Sequence, residues 1–271
     1  MAKKSPRLSY LVIALLLIAV VIVAFIPVDK TTESLPELSD KELIELEGVI
    51  LPEDISNRML TYEGFTVAFN PQMHQPNYVV WTLEPDETEG EFTREKAQFM
   101  ADDNVEGCAT LADYRNSGFD RGHMAPAADM KWSEKSMADC HLLTNMCPQD
   151  KRLNSGAWAT VEKNSRKWAQ KFGPLVIVAG PVLSDRLPRS IGKTPVPVPE
   201  RFFKVILAPY ANPPMGIGFI MPNSYVEGGA QSTVVSIDDV EEITGFDFFS
   251  ALPDSIEIEV ERQNKLRAWN R

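Results

Sequence analysis

The sequence predicts an α+β fold in which strands and helices follow one another irregularly around one substantial core. Short runs rich in β-branched and aromatic residues, bounded by Gly and Pro, recur along the chain without a regular alternation with helices. One longer stretch, Ser155–Phe172, carries its apolar residues at helical spacing. Hydrophobic residues make up 44 % of 271 positions, enough for a packed interior and too many for a disordered chain.

In chain order, Lys3, Lys4 and Arg7 precede an uncharged run from Leu8 to Val28. A helix of about 17–25 residues crosses a bilayer, and basic residues ahead of it favour a cytoplasmic N-terminus. Residues 1–29 therefore read as a transmembrane signal anchor, with the rest on the exported, periplasmic or extracellular side of the cell membrane. Secretion after cleavage of a signal peptide is the alternative. Residues 30–59 are dominated by Asp and Glu and read as an acidic tether, with a short helix over Asp40–Glu47 capped by Ser39 or Asp40. A compact domain follows over residues 60–271. Its strands are expected at Phe65–Phe69, Tyr78–Leu83, Leu175–Ala179, Phe202–Leu207 and Gly216–Met221. Its helices are expected at Ser155–Phe172, with Asn154 as N-cap, and at Ile237–Thr244.

The net charge of −11 argues against a chain that binds polyanions through overall electrostatics. Two stretches run against that balance. Asn145–Lys171 carries Lys151, Arg152, Lys163, Arg166, Lys167 and Lys171 against Asp150 and Glu162, and Arg186–Lys204 is also net basic. Three cysteines, Cys108, Cys140 and Cys147, allow one disulfide in an oxidising compartment, without fixing the pair.

The densest chemistry lies in Asp120-Arg-Gly-His123, which holds one of three histidines. Imidazole accepts a proton near neutral pH, arginine offers a fixed cation for phosphate or carboxylate, and glycine permits a close backbone approach. Downstream lie Asn145-Met-Cys-Pro-Gln149 and then Asn154, Trp158 and Glu162 at steps of four, with Arg166 one turn further on. Read alone, Asn154 is an N-cap, Glu162–Arg166 an ion pair, Trp158 a core residue, and Asp129 and Gln149 structural.

In this order, Asp-Arg-Gly-His, Asn-x-x-Pro-Gln and Asn-x-x-x-Trp-x-x-x-Glu resemble the DNA/RNA non-specific endonucleases, the ββα-metal nucleases. Asp113–Phe119, Ala125–Asp129, Gly180–Leu183, Lys204–Leu207 and Thr244–Phe249 extend the resemblance over roughly residues 60–262. It implies a mixed, largely antiparallel central sheet carrying a ββα-metal motif. It implies DNA and RNA as substrates and magnesium, or manganese or another divalent cation, as cofactor. It casts His123 as general base, Asn154 as the protein ligand of the metal, and Glu162 as holder of the metal's water shell. Arg121 and Asn145 would support the site or the scissile phosphate, with Asn145 equally readable as a turn-holding side chain, and Arg166 and Arg94 would sit near the phosphate. A neutral Asn oxygen leaves most of the ion's charge to act on the phosphate.

Two rival functions remain at this stage: a nuclease-like scaffold that binds nucleic acid without cutting, and a phosphodiesterase for another phosphate ester. Cys140, His141 and Cys147 also have the ligand types of a zinc site, although a fourth ligand is missing.

Overall fold

The computed structural model describes residues 45–183 and 189–271, within a compact unit that runs from Ser34 to Arg271. The anchor expected over residues 1–29 lies outside the described residues, as does most of the expected helix Asp40–Glu47. No helix among the described residues is long and apolar enough to cross a membrane.

The centre is a seven-stranded sheet. In spatial order its strands are Val234–Val235, Met215–Pro222, Arg201–Ala208, Leu175–Val182, Gln75–Leu83, Phe65–Asn70 and Arg58–Tyr62. Every neighbouring pair is antiparallel. The five long strands contain the five runs expected from sequence, each extended by one to three residues at one or both ends. The edge strand Arg58–Tyr62 was not expected; its mixed exposure gives a weak pattern.

Both faces of the sheet are covered, which explains why Leu175–Val182 is buried at every position instead of alternating. On one face Phe69, Trp81, Ile177, Phe202 and Phe219 pack with Trp158, Val161 and Trp168. On the other, Tyr78, Val178, Phe203 and Val205 meet Ile237, Val240, Phe248 and Val260. Leu46 is buried in this second core, and Val49–Ile50 pairs with Asp247–Phe248. The described end of the acidic stretch is thus packed against the domain, because its apolar residues complete that core.

Helix Ile237–Thr244 forms as expected. Ser236 and Asp239 cap its start reciprocally, and Gly245 ends it in the left-handed conformation. The helix expected at Ser155–Phe172 starts earlier, at Lys151. Asp150 has extended backbone angles and accepts the Arg152 N–H, so it is the N-cap. Asn154 is not: its angles are helical, and it opens a five-residue π-turn, Asn154–Trp158, before regular helix Ala159–Phe172.

The candidate active site

Residues Asp120–His123 pair antiparallel with Met146–Gln149 in a two-stranded ribbon laid beside the helix Lys151–Phe172. The segment between the two ribbon strands is held by Asn145, which is fully buried. Its amide donates to the carbonyls of Ala125 and Cys140 at 2.9 Å, and its oxygen accepts the Ala125 N–H at 3.0 Å. Those bonds occupy the side chain. Asn145 thus holds the turn that leads from His123 into the second ribbon strand.

Two hydrogen bonds clasp the ribbon to the helix. The Asn154 amide nitrogen donates to Asp120 at 3.0 Å, and the Trp158 indole donates to the His123 carbonyl at 3.1 Å. The first bond turns the Asn154 oxygen away from Asp120, and no described residue donates to it. The close ribbon pairing depends on Gly122: a Cβ there would lie 2.5 Å from the Gln149 side-chain oxygen.

His123, Asn154, Glu162, Arg94 and Arg121 line one cleft of about 500 Å³. A neighbouring cleft of about 530 Å³ shares Arg94, Arg121 and Asn154 and adds Arg115. The two form a groove whose cations are mainly arginines, while Asp120 and Glu162 supply its acids. A local positive groove thus exists on a protein of net charge −11. The basic residues of the sequence stretches contribute little to it: Arg152 pairs with Asp150, Lys204 is buried, and Arg186 lies outside the described residues.

The His123 ring packs against Phe99 and His141, with centroids at 5.4 and 5.0 Å. Its Nε2 is buried and has no hydrogen-bond partner. Burial pushes its pKa down to about 3, reinforced by His141, Arg94 and Arg121, so the ring is neutral at physiological pH. Arg121 lies over the Phe99 ring at 4.2 Å, which fixes the guanidinium beside the cleft. Glu162 is pushed up to about 7 by burial, against the pull of Lys204. Lys204 itself is held below the usual lysine range by burial, and its ammonium sits over the Trp158 ring at 4.2 Å.

Arg166 does not join the cleft. Its guanidinium donates to the buried Asp129 carboxylate at 2.8 Å, and Asp129 also accepts the Trp81 indole N–H. A buried carboxylate needs such partners, so Arg166 is spent on structure. Arg94 reaches the cleft from an irregular segment. Sequence reasoning missed Asp120 as the orienter of Asn154, and also Phe99 and Arg115 as cleft-lining residues. Only Asp120 had a signal, its place beside His123. The three cysteines are free thiols, so no disulfide forms.

A family model described as DNA/RNA non-specific endonuclease matches residues 45–255. The chain belongs to that family. It is 34 % identical over 200 residues to the mitochondrial endonuclease G of Homo sapiens, covering 69 % of this chain and 67 % of that protein. It is 33 % identical over 228 residues to the mitochondrial nuclease of Saccharomyces cerevisiae, covering 74 % of this chain and 67 % of the relative. A chain in the crystal structure of the EndoG/EndoGI complex has the same fold. It superposes with a TM-score of 0.71 at 24 % identity, covering 81 % of this chain and 95 % of that one. The protein is a nucleic-acid-cleaving endonuclease of a divalent-metal-dependent family. The expectation of a domain anchored on the exported face of the cell membrane is overturned by these relatives, which are named mitochondrial nucleases.

Proposed function

We propose that this endonuclease hydrolyses DNA and RNA with little sequence preference, using His123 as general base and a hydrated magnesium ion held by Asn154. The observation that carries the reading is the convergence of His123, Asn154, Glu162, Arg94 and Arg121 on one cleft. His123 is neutral there, so a ring nitrogen keeps a lone pair for a proton; burial and the flanking arginines weaken it as a base, and a phosphate anion bound in the cleft would offset that by favouring the protonated ring. The Asn154 oxygen and the Glu162 carboxylate are hard donors that suit magnesium, which keeps most of its waters. When bound, that ion supplies positive charge to the phosphate and to the departing oxygen.

The chain's own residues do the rest. Arg94 and Arg121 hold the phosphate beside His123. His123 removes one proton from the attacking water as its oxygen bonds to phosphorus, the bond to the 3′ oxygen breaks, and that oxygen takes a proton from solvent. The products are a 5′-phosphate and a 3′-hydroxyl. Asp120 keeps the Asn154 amide turned so that its oxygen faces the cleft. Glu162 would hold the ion's water shell when the ion is bound, and a cation nearby favours its carboxylate form. Among the described residues no base-reading element accompanies the groove, and phosphate contacts carry no sequence information.

The test is cleavage of supercoiled plasmid, RNA and a small phosphodiester side by side, with magnesium and with EDTA. The reading expects plasmid and RNA to be cut only with metal, and Asn154→Ala to lower the rate and raise the magnesium required. Cleavage confined to the small diester would contradict it, as would cleavage that survives EDTA.

A further inference from the structure

We propose that Cys140, His141 and His123 form a second metal site, selective for a soft divalent ion such as zinc, whose occupation withdraws His123 from catalysis. The inhibitory half of this inference rests on His123 being the base; the binding half does not.

One ligand atom from each of the three residues lies within 4.8 Å of the others. Bonds of about 2.0–2.3 Å to nitrogen and sulfur set tetrahedral ligand separations at roughly 3.3–3.8 Å, so the cluster must tighten by no more than about 1.5 Å. The His141 Nδ1–H donates to the Met137 carbonyl at 2.8 Å, which fixes the ring as the outer partners of metal-bound histidines do. With Nδ1 so occupied, His141 offers Nε2 to the metal; the Cys140 thiol, which now donates to the same Met137 carbonyl at 3.2 Å, gives up that bond and turns toward Nε2. The His123 ring meets the His141 ring edge to face, and its buried Nε2 has no partner in the protein. No other function claims Cys140 or His141.

The ligand chemistry separates this site from the proposed magnesium site. Asn154 and Glu162 offer oxygen, whereas this cluster offers two imidazoles and one thiol, the donors zinc prefers. The zinc reading of the sequence had Cys147 as third ligand; in the structure Cys147 is outside the cluster and His123 takes its place. Of the three ligands only His123 lines the cleft, whereas Cys140 and His141 are buried, so the ion must enter past the His123 ring, and the fourth position is left for water. On binding, the Cys140 thiol proton goes to solvent as the metal–sulfur bond forms, and the metal takes a lone pair from each imidazole. A histidine that donates to a metal has no lone pair left for a substrate water.

The experiment titrates the full chain with cobalt(II), reading the thiolate-to-cobalt charge-transfer absorption, and then displaces cobalt with zinc. In parallel, plasmid cleavage at fixed magnesium is followed as zinc is added. The proposal expects one cobalt per chain with a thiolate band that zinc removes. Cys140→Ser should lose the band, and Cys108→Ser and Cys147→Ser should keep it. His141→Phe should weaken metal binding about 10–100-fold. Relative to each variant's own rate in magnesium alone, the zinc needed for inhibition should rise at least about tenfold in Cys140→Ser and in His141→Phe. A thiolate band that survives Cys140→Ser, or unchanged zinc inhibition in both variants, would overturn it. A chain that cuts nothing yet shows the band would keep the site and remove the nuclease mechanism instead.

Discussion

Asp120 holds the Asn154 amide nitrogen at 3.0 Å, and so decides which way the amide oxygen faces. Asp120→Ala removes that restraint without removing a metal ligand. The magnesium concentration giving half-maximal cleavage should rise by about 10–100-fold, the usual consequence of losing a partner behind a ligand. A magnesium titration of the cleavage rate reads this directly, and Asp120→Asn should recover part of the loss. At this scale the sequence was legible where a motif fixes the residue type: His123, Arg121, Asn154 and Glu162 do share a cleft. It was not legible where tertiary partners decide. Arg166 follows Glu162 by one turn, yet it is taken by Asp129, whose burial no local pattern announces. Asn145 is likewise consumed by backbone carbonyls that the sequence leaves unplaced.

The ribbon and the helix form the working element, and their fit is tightest at Gly122. An added Cβ would meet the Gln149 side chain at 2.5–2.8 Å, and Gln149 is fully buried with no room to retreat. Gly122→Ala should therefore cost about 1–3 kcal/mol in urea unfolding, as overpacking does, and it should slow cleavage by shifting His123. The long strands and the helix Ile237–Thr244 were readable because hydrophobic period and length agree there. The ribbon was not: Asp120–His123 and Met146–Gln149 are four residues each and pair across a long connection. The start of the site helix was misread for a physical reason. Asn154 suits an N-cap, but Asp150 caps the helix four residues earlier, and the π-turn makes Asn154 part of it.

At the scale of the whole molecule, acidic residues gather around Glu261. Burial pushes Glu261 up to about 8, with Glu241, Glu257, Asp238 and Asp247 adding to the effect, and its Oε1 has no partner. Because the folded-state pKa lies above the ordinary 4.5, the folded protein holds this proton while the unfolded chain releases it. The stabilisation is complete below about 4.5 and is lost as pH rises through about 8. Glu261→Gln should thus raise Tm at pH above about 8, by removing a buried charge, and give no such gain below the usual carboxylate range. The groove makes a different demand. DNA affinity should fall steeply with salt, and Arg94→Ala and Arg121→Ala should each reduce the salt slope by about 1. Filter binding with the His123→Ala protein measures this without cleavage.

The central claim is that His123 activates the attacking water. The most direct measurement is the single-turnover rate of plasmid cleavage at saturating magnesium by the wild-type and His123→Ala proteins, with thermal unfolding of both. A fall of about 10²–10⁴-fold or more, with an unchanged unfolding transition, is the predicted result. Cleavage at the wild-type rate by folded His123→Ala protein would contradict the account.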